Sequence, residues 1–270
     1  MTSAAAFEKA RADGRAALVG YLPAGFPTVE GGIAAIRALA ESGVDLIEVG
    51  FPYSDPVIDG PVIQRATEAA LARGVRARDV LATVTVAGQT GVPVLVMTYW
   101  NLVERYGVDA FARDLQAAGG AGLITPDLIP EEAQEWLSAS DAYGLDRIFL
   151  VAPSSTDARL AAAVAACRGF VYATSVMGVT GAREVTSAAA PALVARVRAI
   201  AGSLPVGVGL GVRDGAQAAE VGSFADAVIV GSALVGCLLN AVDLDEGIRS
   251  LRTLTADLAA GVRTVGSVAA

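Results

Sequence analysis

Two carboxylates, Glu48 and Asp59, stand in one short run: Leu46-Ile47-Glu48-Val49-Gly50-Phe51-Pro52-Tyr53-Ser54-Asp55-Pro56-Val57-Ile58-Asp59-Gly60-Pro61. Glu48 sits at the end of an apolar, strand-like stretch. Asp59 sits near the far end of a segment rich in Pro and Gly. Two acids aimed at one pocket can carry out general acid–base chemistry. Few other groups in the chain could, because it contains no histidine. Serine–histidine nucleophilic chemistry is therefore excluded. Two well-separated cysteines, Cys167 and Cys237, without histidine argue against a zinc site. The only lysine, Lys9, precedes the first predicted strand, whereas a Schiff-base mechanism wants a lysine inside the pocket.

Each acid also has a purely structural reading. Ile47 and Val49 flank Glu48, and strand alternation places the Glu side chain on the opposite face from theirs. If that face lines a barrel mouth, desolvation raises the pKa of Glu48 and suits it to proton transfer near neutral pH. The alternative is a strand-end Glu paired with an Arg. Asp59-Gly60 and Ser54-Asp55-Pro56 both read as ordinary Asx-type turns when taken alone. Taken whole, the segment is long, is constrained by Pro52, Pro56 and Pro61, and starts where the Glu48 strand ends. Segments of that kind often carry function on a rigid scaffold.

The elements that would position these acids follow from hydrophobic pattern. Strands are predicted near Ala17–Leu22, Asp45–Val49, Val94–Met97, Gly122–Ile124, Arg147–Val151, Phe170–Ala173, Val206–Gly209 and Ala227–Val230. Their near-continuous apolar character is that of strands buried on both faces of a parallel sheet. Helical spacing of Ile33, Ile36 and Leu39, with Gly43 as a stop, predicts a helix between the first two strands. Further helical segments fall at Leu115–Gly119, Arg159–Ala166, Ala192–Ala199 and Leu244–Leu258, with an extra one around Arg78–Ala87. Eight strands alternating with helices predict an α/β chain, a (β/α)8 TIM barrel with an extra N-terminal helix and long loops after strands 2 and 6. An open doubly wound sheet is the rival, but Pro23-Ala24-Gly25-Phe26-Pro27 after the first strand is not its G-x-G-x-x-G fingerprint. No Pro/Ser-rich linker divides the chain, so residues 1–270 are expected to form one domain.

Composition narrows the partners. Twenty basic against 28 acidic residues give a net charge of −8, which disfavours nucleic acid as the main ligand. No apolar run approaches the roughly 18 residues of a membrane span. Residues 1–14 carry Glu8, Lys9, Arg11 and Asp13 and lack the apolar core of a signal peptide. A cytoplasmic protein with reduced cysteines is expected. A small anionic ligand held by backbone amides is compatible with the negative charge. Gly178-Val179-Thr180-Gly181, Gly209-Leu210-Gly211 and Gly231-Ser232-Ala233 follow predicted strands six, seven and eight. Barrels commonly bind phosphate on the loops after strands seven and eight, at a short helix N-terminus. Each segment alone could be an ordinary turn. Their placement together predicts a phosphate grip.

Several of these motifs, spread over nearly the whole chain, resemble the tryptophan synthase alpha chain family. The run Ile47-Glu48-Val49-Gly50 through Ser54-Asp55-Pro56 to Asp59-Gly60-Pro61 is similar to its signature. Val96-Met97-Thr98-Tyr99-Trp100-Asn101, Pro126-Asp127-Leu128 and Gly178-Val179-Thr180-Gly181 are similar to its other motifs. The resemblance implies a retro-aldol lyase cleaving indole-3-glycerol phosphate to indole and glyceraldehyde 3-phosphate. It implies Glu48 as the main acid/base and Asp59 as the partner of the indole N–H. Tyr172 and Tyr21 would line the pocket, and Gly181, Gly211, Gly231 and Ser232 would hold the phosphate. Asp55, Pro56, Asn101 and Pro130 match positions near the family's interface with a beta chain in an αββα heterotetramer. No cofactor is implied for this chain, and pyridoxal phosphate would belong to the beta chain. Val176, Thr67 and Val235-Gly236-Cys237 depart from common family residues without touching the acids or the phosphate glycines.

Other readings have discriminating features. A stand-alone lyase releasing free indole differs from the synthase subunit only in loop ordering. A non-catalytic regulatory subunit would have no need of both Glu48 and Asp59. A phosphosugar isomerase on the same fold is weakened by the absence of histidine.

Overall fold

The computed structural model describes residues 2–174 and 189–264. The chain opens with helix α1 (Ala4–Ala12), β1 (Ala17–Pro23), α2 (Val29–Glu41), β2 (Leu46–Gly50), α3 (Pro61–Ala72) and α4 (Ala77–Gly88). It continues with β3 (Val94–Met97), α5 (Trp100–Tyr106), α6 (Val108–Ala117), β4 (Gly122–Thr125), α7 (Gln134–Ala142), β5 (Asp146–Val151) and α8 (Asp157–Ala166). The last part supplies β6 (Val171–Thr174), α9 (Ala189–Ala201), β7 (Val206–Gly209), α10 (Gly215–Gly222), β8 (Ala227–Val230), α11 (Ser232–Leu239) and α12 (Leu244–Thr264). The eight strands pair in parallel, in sequence order, and β8 closes on β1. This is the expected TIM barrel, with α1 as the N-terminal helix. The segment after β2 is long, and the one after β6 lies outside the described residues.

Period-two alternation sorts the strands into two faces. Ile47, Val49, Val94 and Val96 point outward and pack under the helices. Ala17, Val19, Leu46, Leu95, Ile124, Ile148, Phe170 and Ile229 fill the lumen. Glu48 has the parity of Leu46, so it faces the lumen too. Helix α1 plugs the N-terminal end: Ala6, Phe7 and Ala10 join the lumen cluster, and Phe7 lies 5.2 Å from Phe170, centroid to centroid. Ser3, just before α1, donates from its backbone N and its Oγ to Asp146 Oδ2 at 2.8 and 2.6 Å. With that end sealed, the C-terminal end remains for chemistry.

Local signals explain the helix around the first crossover. Thr28 caps α2 by accepting from Gly31 N, and Gly43 follows the helix at φ +104°, a left-handed conformation that favours glycine. One sequence expectation needs correction: Leu115–Gly119 is not a separate helix but the last turn of α6 and its exit. The helix begins at Val108, and its buried face is Val108, Phe111, Ala112 and Leu115.

Candidate active site

β1 and β2 run side by side with Tyr21 opposite Glu48, and β3 places Leu95 on the other side of Glu48. Glu48 is 1% exposed, and its Oε1 has no hydrogen-bond partner. The arginine pairing that sequence left open is therefore not found among the described residues. Burial pushes its carboxyl up to about 8, and the nearby Asp59 charge pushes the same way.

Asp59 ends the segment that leaves β2. Gly60 caps α3 and Pro61 occupies its first turn, where a missing N–H costs nothing. The Asp59 carboxyl is raised to about 6, by burial. Among the described residues it accepts no hydrogen bond, so the Asx-turn reading does not hold. Burial thus pushes the two carboxyls to different extents, Glu48 further toward its neutral form than Asp59. Unequal shifts of this kind are how a carboxyl pair divides acid from base.

The segment carrying Asp59 is tied at two points. Val57 N and Ile58 N both donate to the Tyr99 hydroxyl, each at 3.1 Å. Gln64, on α3, donates from Nε2 to the Asp59 carbonyl at 2.7 Å. Tyr99 packs against Tyr53 with centroids 5.0 Å apart, and Asp127 accepts from Trp100 N at 2.9 Å, fixing the start of α5 beside it. Sequence reasoning assigned no role to Tyr99 or Gln64. Tyr99 stood in a quoted motif, but a phenol holding a backbone some 40 residues away leaves no local signal.

Tyr21 lies beside Glu48 across the β1–β2 pair, and Tyr172 stands on β6. Both phenols are raised well above their ordinary value, by burial first and then by the carboxylates. Asp59 acts more strongly than Glu48 on Tyr21, and the order is reversed for Tyr172. Each ring lies over a glycine. A β-carbon on Gly50 would collide with the Tyr21 hydroxyl, and one on Gly209 with that of Tyr172. The strand-end glycines therefore make room for the phenols.

Gly211 follows β7 at φ +71°, where a side chain would be strained. Gly231 caps α11 and Ser232 opens it. The first-turn N–H groups of a helix lack intrahelical partners and can meet an anion. Gly181 and Val176 lie outside the described residues. Asp55 is exposed and Pro56, Asn101 and Pro130 are half-buried; all four sit on segments that follow the C-terminal ends of β2, β3 and β4. Val57, beside Pro56, is 69% exposed. Asn101 donates to the Tyr53 hydroxyl at 3.3 Å. Thr67 is buried in α3. A groove of about 420 Å³ flanking α11, lined by Val62, Ser232, Cys237 and Asn240, contains neither acid. Both cysteines are free.

Among the described residues, no cluster of His, Cys, Asp or Glu is arranged to hold a metal ion, and no helix is long and apolar enough to cross a membrane. A family model described as tryptophan synthase alpha chain matches residues 7–263. The tryptophan synthase alpha chain of Salinispora arenicola is 70% identical, over 96% of this chain and 97% of that one. That of Mycobacterium marinum is 65% identical, over 95% and 93%. The structure of Mycobacterium tuberculosis tryptophan synthase superposes with TM-score 0.91 at 64% identity, over 97% of this chain and 98% of that one. The tryptophan synthase subunit alpha of Legionella pneumophila keeps a TM-score of 0.86 at 33% identity, over 98% and 99%. The chain belongs to the tryptophan synthase alpha chain family.

Proposed function

We infer that Glu48 and Asp59 are the acid–base pair of the family's lyase reaction in this chain. The reaction cleaves indole-3-glycerol phosphate to indole and glyceraldehyde 3-phosphate in tryptophan biosynthesis. The observation that carries the residue assignment is the split between the two carboxyls, about 8 for Glu48 and about 6 for Asp59.

Protonated Glu48 gives its proton to indole C3, and the positive charge that develops spreads to the ring nitrogen. Ionised Asp59 accepts a hydrogen bond from that N–H and stabilises the cation. Glu48, now a carboxylate, takes the proton of the glycerol hydroxyl next to the breaking bond. The O–H electrons form the aldehyde C=O, and the C–C electrons return to the ring and neutralise it. Indole leaves with the proton at C3, the aldehyde leaves with the phosphate, and Glu48 is protonated again. The ring itself is the electron sink, so the steps need only proton donors and acceptors. A buried, water-poor site strengthens each of these interactions.

The phosphate sits, in this reading, against Gly211, Gly231 and Ser232, with Gly181 as a fourth contact. The rim bearing Asp55, Pro56, Asn101 and Pro130 docks a beta chain in an αββα heterotetramer. Pyridoxal phosphate belongs to that beta chain and this chain works without a cofactor, in the cytoplasm. Indole release by the purified chain, with and without a beta chain, tests the reading. Weak release that rises sharply with the beta chain is expected. Strong release by the chain alone identifies a self-sufficient lyase, and none in either condition overturns the assignment.

A further inference from the structure

Asp59 acts from a segment, residues 51–60, that forms neither helix nor strand. Val57, two residues before the acid, is 69% exposed. A group that must meet a reacting atom loses up to about a hundredfold in rate when displaced by about 1 Å. What holds Asp59 in place therefore bears on the chemistry. Two side chains close on it from either side along the chain. The Tyr99 hydroxyl accepts from Val57 N and Ile58 N, each at 3.1 Å, and Gln64 Nε2 donates to the Asp59 carbonyl at 2.7 Å. The Ile58 bond fixes the peptide plane between Val57 and Ile58, and the Gln64 bond fixes the plane between Asp59 and Gly60. Only the backbone torsions of Ile58 and Asp59 lie between the two planes.

The two ties differ in their anchors. Gln64 sits on α3, whose first residue is Pro61, so it belongs to the same stretch of chain as Asp59. Tyr99 belongs to the barrel rim. On one side of it Thr98 N donates to Ile124 O of β4 at 3.1 Å, and on the other Trp100 N donates to Asp127 at 2.9 Å. Its buried ring packs against Tyr53, with centroids 5.0 Å apart. Burial pushes its phenol up to about 12, so the hydroxyl stays neutral and takes no part in proton transfer. We propose that Tyr99 is a positioning residue for the lyase reaction: its hydroxyl, anchored on the rim of β3 and β4, holds Val57 and Ile58 so that the Asp59 carboxylate meets the ring N–H of the substrate. The inference rests on the assignment of Asp59 to that N–H.

The test compares Tyr99→Phe, Asp59→Asn and the double variant by kcat and KM for indole release with the beta chain in excess, with thermal midpoints as a folding control. Phe keeps the ring against Tyr53 and removes only the acceptor. The freed N–H groups lie on an exposed stretch where water can meet them, so the midpoint should change little. The expected result for Tyr99→Phe is a fall in kcat of about tenfold with KM changed by less than about twofold, the mark of an interaction made only in the transition state. In the Asp59→Asn background the same substitution adds less than about twofold, because the phenol acts through that carboxylate. Where the Asp59→Asn rate is too low to compare, the split between kcat and KM decides alone. A Tyr99→Phe kcat within about twofold of the parent overturns the proposal while leaving Asp59 in place. So does a rise in KM alone, which makes the phenol a substrate contact, and so does a full tenfold loss repeated in Asp59→Asn. Full activity in Asp59→Asn removes the reading of Asp59 and the proposal together.

Discussion

The two ends of this barrel treat buried and half-buried carboxylates in opposite ways. At the N-terminal end each is met. Asp146 accepts from Ser3 N and Ser3 Oγ at 2.8 and 2.6 Å. Asp45 takes both Arg15 terminal nitrogens at 2.7 and 2.8 Å, and Leu18 N at 2.9 Å. Asp226 accepts from Val206 N at 2.9 Å and faces Arg198 at 3.2 Å. At the C-terminal end, Glu48 Oε1 is buried without a partner, Asp59 has neither cation nor donor among the described residues, and Thr125 Oγ1 at the end of β4 is unmet as well. An unmet buried polar group is costly, and the cost is greater for a charge. One end therefore spends its polar groups on holding the fold. The other leaves Glu48 and Asp59 unmet and available to a substrate. Barrels in general place stability and catalysis at these two ends.

The comparison breaks most visibly at Glu48. Glu48→Gln removes the proton-transfer group, and indole release should fall by about a thousandfold, within the range for a general acid–base residue. Its effect on stability has the opposite sign. The folded-state pKa of about 8 lies above the ordinary 4.5, so the folded chain holds a proton that the unfolded chain releases. Stability is therefore lost as pH rises from about 4.5 to about 8. The Gln variant lacks this loss, and at pH 8 its thermal midpoint should equal or exceed the parent's. A clearly lowered midpoint with activity retained would make Glu48 a structural residue.

A smaller effect is expected at the phosphate end. Gly211→Val forces a β-branched side chain into a left-handed conformation and crowds the backbone amides. KM should rise about tenfold with kcat falling less, and steady-state kinetics would show it. An unaltered KM would remove Gly211 from the phosphate site. The smallest effect on rate belongs to the sealed end. Asp146→Ala strips Ser3 of its acceptor and should cost about 2 kcal/mol of stability in a urea titration. Turnover of the folded enzyme should stay within twofold. If instead the rate collapsed while stability held, the division between the ends would be wrong.

Much of this division was legible in the sequence. The predicted strands agree with the observed ones to within a residue at each end, because runs such as Val94–Met97 and Ala227–Val230 are apolar on both faces and bounded by turns. Alternation put Glu48 on the opposite face from Ile47 and Val49, but which face was the lumen only the closed barrel shows. The lack of a counter-ion at Glu48 was not legible either, because a missing partner is a property of the whole surrounding shell. Short amphipathic helices such as Trp100–Tyr106 and Gln134–Ala142 also escaped, each offering barely two turns of periodicity. The Tyr99 and Gln64 ties to the Asp59 segment were illegible for a different reason. They join side chains to backbone groups, and backbone groups carry no residue identity.

The central claim is that Glu48 is protonated and Asp59 ionised in the same ligand-free lumen at neutral pH. Carbon-13 NMR titration of the side-chain carboxyls tests it without substrate, with Glu48→Gln and Asp59→Asn assigning the resonances. The account predicts one glutamate titrating near pH 8 and absent from Glu48→Gln, and one aspartate near pH 6 and absent from Asp59→Asn. Glu48 and Asp59 both titrating near their ordinary values of 4.5 and 3.8 would contradict it.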